Sequence, residues 1–217
     1  MLLALMSKAG PLVMWLIFLG GLMAAATFLE RLLHYHRAQI NAADFVAGIR
    51  NALGRGNIPE SLALCDETPG PVAQVIRVGV LNHNRSREEI REAMQDAGHS
   101  EVVKLERNLP ILATVAQVAP LMGFLGTVLG MIAAFHVIEQ VELATPGQLA
   151  KGVWEALQAT AAGLIVAIPA YVAYNYLVIR LQNLVLDMEK SANAILNLLT
   201  YGDKDAPPVT LDGKPKN

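Results

Sequence analysis

One uninterrupted run decides most of what this chain can become. Leu109 to Ile138 holds thirty residues and no Asp, Glu, Lys or Arg. A transmembrane helix needs about 20 mostly apolar residues, so this run is long enough to span a bilayer and overshoot it. It is not uniform. Pro110 and Pro120 interrupt it, Gly123, Gly126 and Gly130 thin one side, and Thr114, Gln117 and Thr127 put polar groups at membrane depth. Small residues let helices approach closely, and polar groups in the bilayer need partners. The run therefore reads as a helix inside a membrane assembly.

Two further apolar stretches, Pro11–Leu29 and Val153–Ile179, make the same demand. With 53% hydrophobic and only 17% charged residues, the chain is too apolar for an ordinary soluble domain. The expected fold is an all-α membrane protein with three spans, over 11–29, 109–138 and 151–179. A net charge of −2 gives no reason to expect nucleic acid as a partner. The single cysteine, Cys65, cannot form an internal disulfide or a CxxC metal site. It reads as a small buried residue.

Charge placement orients the spans. Only Lys8 precedes the first span, whereas residues 30–108 carry ten Lys/Arg, 139–150 carry none, and five follow the third span. Cytoplasmic loops carry the excess of positive residues. The expected topology has residues 1–10 outside, a cytoplasmic domain over 30–108, an outer loop over 139–150 and a cytoplasmic C-terminus. A rival reading treats the first stretch as a cleaved signal peptide, with Ala24-Ala25-Ala26 as a cleavage site. The apolar run exceeds the usual h-region of about 7–15 residues, and an anchor is preferred.

The large loop should be helical. Ala42, Phe45, Ile49 and Ala52 recur at helical spacing, and Asn57 with Glu60 three residues on resembles a helix start. Val72, Val75, Ile76 and Gly79 suit a helix, which is preferred over a strand because no second strand is visible to pair with it. Ser86-Arg87-Glu88-Glu89 is a capping box. With no breaker before Pro110, the helix from Ser86 is expected to run without a loop into the second span, to Ile138. That rod would be about 80 Å long at 1.5 Å per residue. The third span should likewise continue as a cytoplasmic helix over 180–201, leaving a disordered tail at 202–217 that is too charged and Pro-rich to bury a core.

Few residues in the spans can carry chemistry. Glu155 is the only carboxylate of the third span. Membrane carboxylates usually face a cavity or a partner, but pairing with Lys151 at i, i+4 in the headgroup zone is an equal alternative. Pro120, Gly123, Thr127 and Gly130 form one stripe on the second span, and Ala156, Thr160, Gly163 and Ala167 a similar one on the third. A membrane threonine commonly bonds back to its own helix; against that, glycines beside Thr127 bring a neighbouring backbone close. His136 reads as interfacial. No phosphate loop, HExxH or Ser/His/Asp set is present, so no enzyme activity, metal or cofactor is expected, and any work must draw on a source other than ATP.

LERNLPILATVAQVAPLMGFLGTVLGMI (105–132), a short outer loop, and WEALQATAAGLIVAIPAYVAYN (154–175) closely resemble the MotA/TolQ/ExbB proton-channel family, most of all its ExbB branch. Three spans rather than four separate the chain from the MotA branch. ATPGQLAKGVWEAL departs from the more usual APGIAEAL by carrying Lys151 and Trp154. The resemblance implies a pentameric ring in the bacterial inner membrane. Spans two and three would surround the single-span helices of an ExbD-like partner dimer, whose Asp carries the proton. It implies pore roles for Thr127, Thr160 and Glu155, with Pro120, Gly123, Gly130, Ala156 and Gly163 packing partner helices. Proton flow would then drive a TonB-like transducer. A TolQ-like role in the Tol-Pal envelope system and a non-conducting scaffold are the alternatives.

Overall fold

The computed structural model describes residues 9–140 and 146–202. The expected leader through residue 8, the middle of the outer loop and the tail beyond Gly202 lie outside them. Every regular element among the described residues is a helix: α1 Ala9–Ala38, α2 Ala42–Gly54, α3 Ile58–Glu67, α4 Pro71–Leu81, α5 Arg87–Glu106, α6 Leu109–Gln140 and α7 Pro146–Tyr201. Three of these, α1, α6 and α7, are long and apolar enough to cross a membrane. The chain is a multi-pass membrane protein on those helices. It divides into two compact units. One takes residues up to Arg31 with Asn108–Val178, and the other takes Leu32–Arg107 with the chain from Ile179 onward.

The first unit is the apolar one. α6 continues through Pro120 and α7 through Pro169. Each proline leaves one carbonyl, that of Ala116 or Ile165, without its usual i+4 donor. α1 touches both neighbours through small residues. A β-carbon on Gly20 would lie 3.9 Å from Val115 Cγ1, one on Gly21 3.1 Å from Val166 Cγ2, and one on Gly126 3.3 Å from Val13 Cγ1. Much of the remaining surface of α1, including Trp15, Phe18, Leu19 and Leu22, is exposed and apolar, as a lipid-facing helix requires.

The second unit is built around α4, where Val72, Ala73, Val75, Ile76, Gly79 and Val80 are all buried. The helical reading of this β-branched segment is therefore correct. Gly70 precedes it at φ +120°, against the Ala38 carbonyl, where a β-carbon would stand 3.0 Å from oxygen. Ile49 of α2, Cys65 of α3, Ile90 of α5 and Ile195 of α7 are also fully buried in this unit. The caps match their sequence signals. Asn57 Oδ1 accepts from the Glu60 N–H at 3.2 Å, and the Ser86–Glu89 box forms in both directions.

One expectation fails. The helix from Ser86 does not run unbroken into the second span. α5 ends at Glu106, Arg107 turns extended at ψ 134°, and Asn108 takes φ +70° before α6 starts at Leu109. Pro110 is the cause. Inside a continuous helix it would remove the N–H that bonds Glu106 and crowd that carbonyl, whereas at the second position of a new helix it costs nothing. Asn tolerates the left-handed conformation best after Gly, and Asn108 Nδ2 is held by the Glu30 carboxylate at 3.1 and 3.4 Å. α7, by contrast, stays continuous for 56 residues to Tyr201.

Candidate functional site: a hydroxyl pair between two spans

The site is made by glycine. α6 and α7 run antiparallel, and along their seam the backbones approach too closely for larger residues. A β-carbon on Gly163 would lie 2.6 Å from the Ala119 carbonyl oxygen and 3.0 Å from Gly123 Cα. One on Gly123 would lie 2.9 Å from the Ala159 oxygen, and one on Gly130 2.8 Å from Ala156 Cβ. Gly126 meets Ala159 within this stretch, and Gly152 meets Ala134 beyond Gly130, extending the seam toward the end of α6.

This approach brings Thr127 and Thr160 together. Their hydroxyls are hydrogen-bonded to each other, and either can be the donor. Thr127 Oγ1 also reaches the Gly123 carbonyl of its own helix at 3.2 Å and the Ala156 carbonyl of α7 at 3.3 Å. Thr160 Oγ1 reaches the same Gly123 carbonyl at 3.2 Å. Both fates weighed for Thr127 thus occur together: it bonds back to its own turn and across the seam. Two hydroxyl protons serve at least three acceptors, so the cluster has surplus accepting capacity. Both threonines are half-buried, at the margin of the seam.

The other expected site residues separate into two groups. Gly123, Gly130, Ala156 and Gly163 lie in the seam, and the helix they admit there is the chain's own rather than one from another chain. Pro120 is half-exposed on α6. Glu155 sits one residue before Ala156, is exposed, and forms no ion pair with Lys151 among the described residues. It does not join the hydroxyl pair. His136 pairs with Glu139 at 3.4 Å near the end of α6. Ala159 and Ala134 were missed as packing residues. The only signal for them was their smallness, which is common in any membrane helix.

No group of three or more potential metal ligands exists among the described residues. Cys65 is no nucleophile as it stands: burial, with the Asp66 charge beside it, pushes its thiol up to about 11.

Comparison with known proteins places the chain in a family. Residues 67–190 match the model of the MotA/TolQ/ExbB proton channel family. A putative biopolymer transport protein ExbB homolog of Methanothermobacter thermautotrophicus is 27% identical over 208 residues, covering 92% of this chain and 74% of that protein. The Tol-Pal system protein TolQ of Pseudomonas aeruginosa is 40% identical over 115 residues, 48% of this chain and 50% of its own length. The biopolymer transport protein ExbB of Aquifex aeolicus is 44% identical over 86 residues, 40% of this chain and 58% of its own. The last two matches thus span only about half of those relatives. The family segment covers more than half the chain and includes the glycine seam and its threonine pair, and on that ground the chain belongs to the MotA/TolQ/ExbB proton channel family, as a non-enzymatic channel component.

Proposed function

We propose that this protein is the ring-forming subunit of an inner-membrane motor that converts proton-motive force into mechanical work. Five copies surround an ExbD-like single-span partner dimer, whose carboxylate carries the proton, and a TonB-like transducer delivers the work to energised transport across the outer membrane. The N-terminus is periplasmic and the C-terminus cytoplasmic, in line with ten Lys/Arg in 30–108 against none in 139–150. Thr127 and Thr160 border the proton path, and Glu155 stands near its periplasmic mouth. The partner's helices meet the open margin of the seam, beside Pro120, since its interior is filled.

The observation that carries this reading is the threonine pair. A hydroxyl does not ionise at working pH, but it donates and accepts at once. Two of them, half-buried between glycines in an apolar span, suit the solvation of a proton or a protonated carboxyl in passage. The chain holds no Asp in any span, and the one carboxylate of its third span, Glu155, stands apart from the hydroxyl pair, which suits a carrier supplied by the partner.

The test is to replace Thr127 and Thr160 with Val, which keeps shape and removes the hydroxyl. Each change should lower energised transport through the partner complex by roughly 10- to 100-fold, a barrier of about 1.4–2.8 kcal/mol, while the complex still assembles. Survival of transport in both variants sinks the proton-path role and favours a scaffold. A TolQ-like role in the Tol-Pal envelope system is the second reading, prompted by the 40% match to TolQ. Deletion separates the two: lost energised uptake supports the motor of transport, and defective envelope constriction supports the TolQ-like role.

A further inference from the structure

The second unit holds a groove that the hydroxyl site does not use. It lies between α5 and the part of α7 beyond Val178, and it encloses about 370 Å³. Its floor is apolar: Val75, Met94, Met188 and Leu196 are buried there. Its rim is polar. Arg91, Gln95 and His99 stand on the α5 side and Glu189 and Asn193 on the α7 side, all exposed. None of these five makes a hydrogen bond or ion pair among the described residues. An apolar floor of this size with two flexible methionines suits a peptide, and the rim selects its conformation. A helix bonds its own backbone and asks nothing of Gln95 or Asn193. An extended segment has bare N–H and C=O groups, and each carboxamide both donates and accepts. A neighbouring copy offers only helices as regular elements among its described residues, so it is the poorer occupant.

The chain carries a segment that fits. Beyond Gly202, residues 206–211 read APPVTL, the longest charge-free run in 203–217. Its adjacent prolines predict an extended, PPII-like backbone. At about 3.1 Å per residue the run measures about 16 Å. The α7 wall of the groove, from Val185 to Leu196, also measures about 16 Å at 1.5 Å per residue. The run also starts at the right end. Arg87 donates to Asn197 Oδ1 at 3.3 Å and stands 5.3 Å over the Tyr201 ring, which holds the start of α5 against the end of α7. Gly202 then closes α7 at φ +75°, with its N–H on the Leu198 carbonyl at 3.0 Å, and the chain leaves the helix axis. Asp203 and Asp205 follow at once, beside the mouth where Arg91 offers a guanidinium.

We propose that residues 206–211 lie extended in the α5–α7 groove of their own copy, with Val209 and Leu211 on the apolar floor and the backbone bonded to Gln95 and Asn193. A short tether holds such a segment at an effective concentration on the order of millimolar, so weak docking suffices. Laid back along α7, Thr210 reaches the level of Glu189. To test this, the full chain carrying Glu189→Cys and Thr210→Cys is oxidised in membranes with copper phenanthroline, while Cys65, which is buried, stays in place. A disulfide within one copy is expected. Ser100→Cys with Thr210→Cys should link far less, since Ser100 is exposed and about 140° round α5 from Gln95. Leu211→Asp should cut the Glu189→Cys link about 10-fold, and Gln95→Ala with Asn193→Ala about 3-fold. Equal linking at both sites, or a link indifferent to Leu211→Asp, means an undocked segment and overturns the proposal. Differently tagged chains, one with Glu189→Cys and the other with Thr210→Cys, report links between copies. If those predominate, or if Glu189→Cys captures another protein instead, the groove has a different occupant and the proposal fails. None of these outcomes depends on the ring or the proton path.

Discussion

The two units solve one problem, holding helices together, with opposite materials. In the second unit, large side chains fill the space between helices: Ile49, Ile76, Ile90 and Ile195 are fully buried. In the first unit the α6–α7 seam is made by leaving side chains out, so that Gly163 sits against the Ala119 carbonyl and Gly123 against the Ala159 carbonyl. Water drives the first kind of packing through apolar burial. Lipid gives no such drive between helices, so contact there depends on close backbone fit and polar groups. The harmful direction of substitution should therefore reverse between the units: large to small in one, small to large in the other.

The strongest break should come from Ile76→Ala. It removes a fully buried side chain of α4 and should cost about 2–5 kcal/mol, read as lost cooperativity in thermal unfolding of the full chain in detergent. Next comes Gly163→Ala, where the neighbour is a carbonyl that cannot yield; overpacking of about 1–3 kcal/mol is expected, with parting of the threonine pair and loss of energised transport. Gly79→Ala is its foil. There the near atoms are Met94 Sδ at 2.6 Å and Cε at 3.0 Å, the far end of a flexible side chain that can move aside, so transport should be unchanged. Equal damage from both would show that the seam has no special rigidity.

The smallest effect concerns the α5 cap. The Ser86 side chain, and then its backbone, hydrogen-bond to the Glu89 carboxyl and hold it below the usual carboxylate range. A folded-state pKa below the unfolded one means stability that is present above about pH 4.3. It is lost as pH falls through the folded value. Ser86→Ala should cost about 1 kcal/mol at neutral pH and flatten the acid limb of the melting temperature. An unchanged acid limb would mean the cap contributes nothing there.

The spans, the helical loop and the stripe bearing Thr127 were legible in the residues, because charge-free length, capping boxes and 3.6-residue spacing act locally. The break at Asn108 was not. Nothing at Asn108 forbids helix, and Pro110 is read as a breaker at its own position although its effect falls on the turn before it. The destination of the glycine stripe was also illegible. Spacing shows that a helix comes close to Gly123 and Gly163, but not whether it belongs to the same chain. Glu155 remained open for a related reason, since its partner lies neither at Lys151 nor elsewhere among the described residues.

The Thr127–Thr160 contact has a consequence of its own. Because either hydroxyl can donate its own proton in the hydrogen bond to the other, the pair has a direction, and the direction is reversible. Turning the two C–O bonds inverts the local dipole without displacing any heavy atom. An anion arriving at the seam and a neutral acid leaving it ask for opposite polarities, and the same two side chains answer both. What looks like a packed and immobile contact is, at the level of hydrogen atoms, a compass needle.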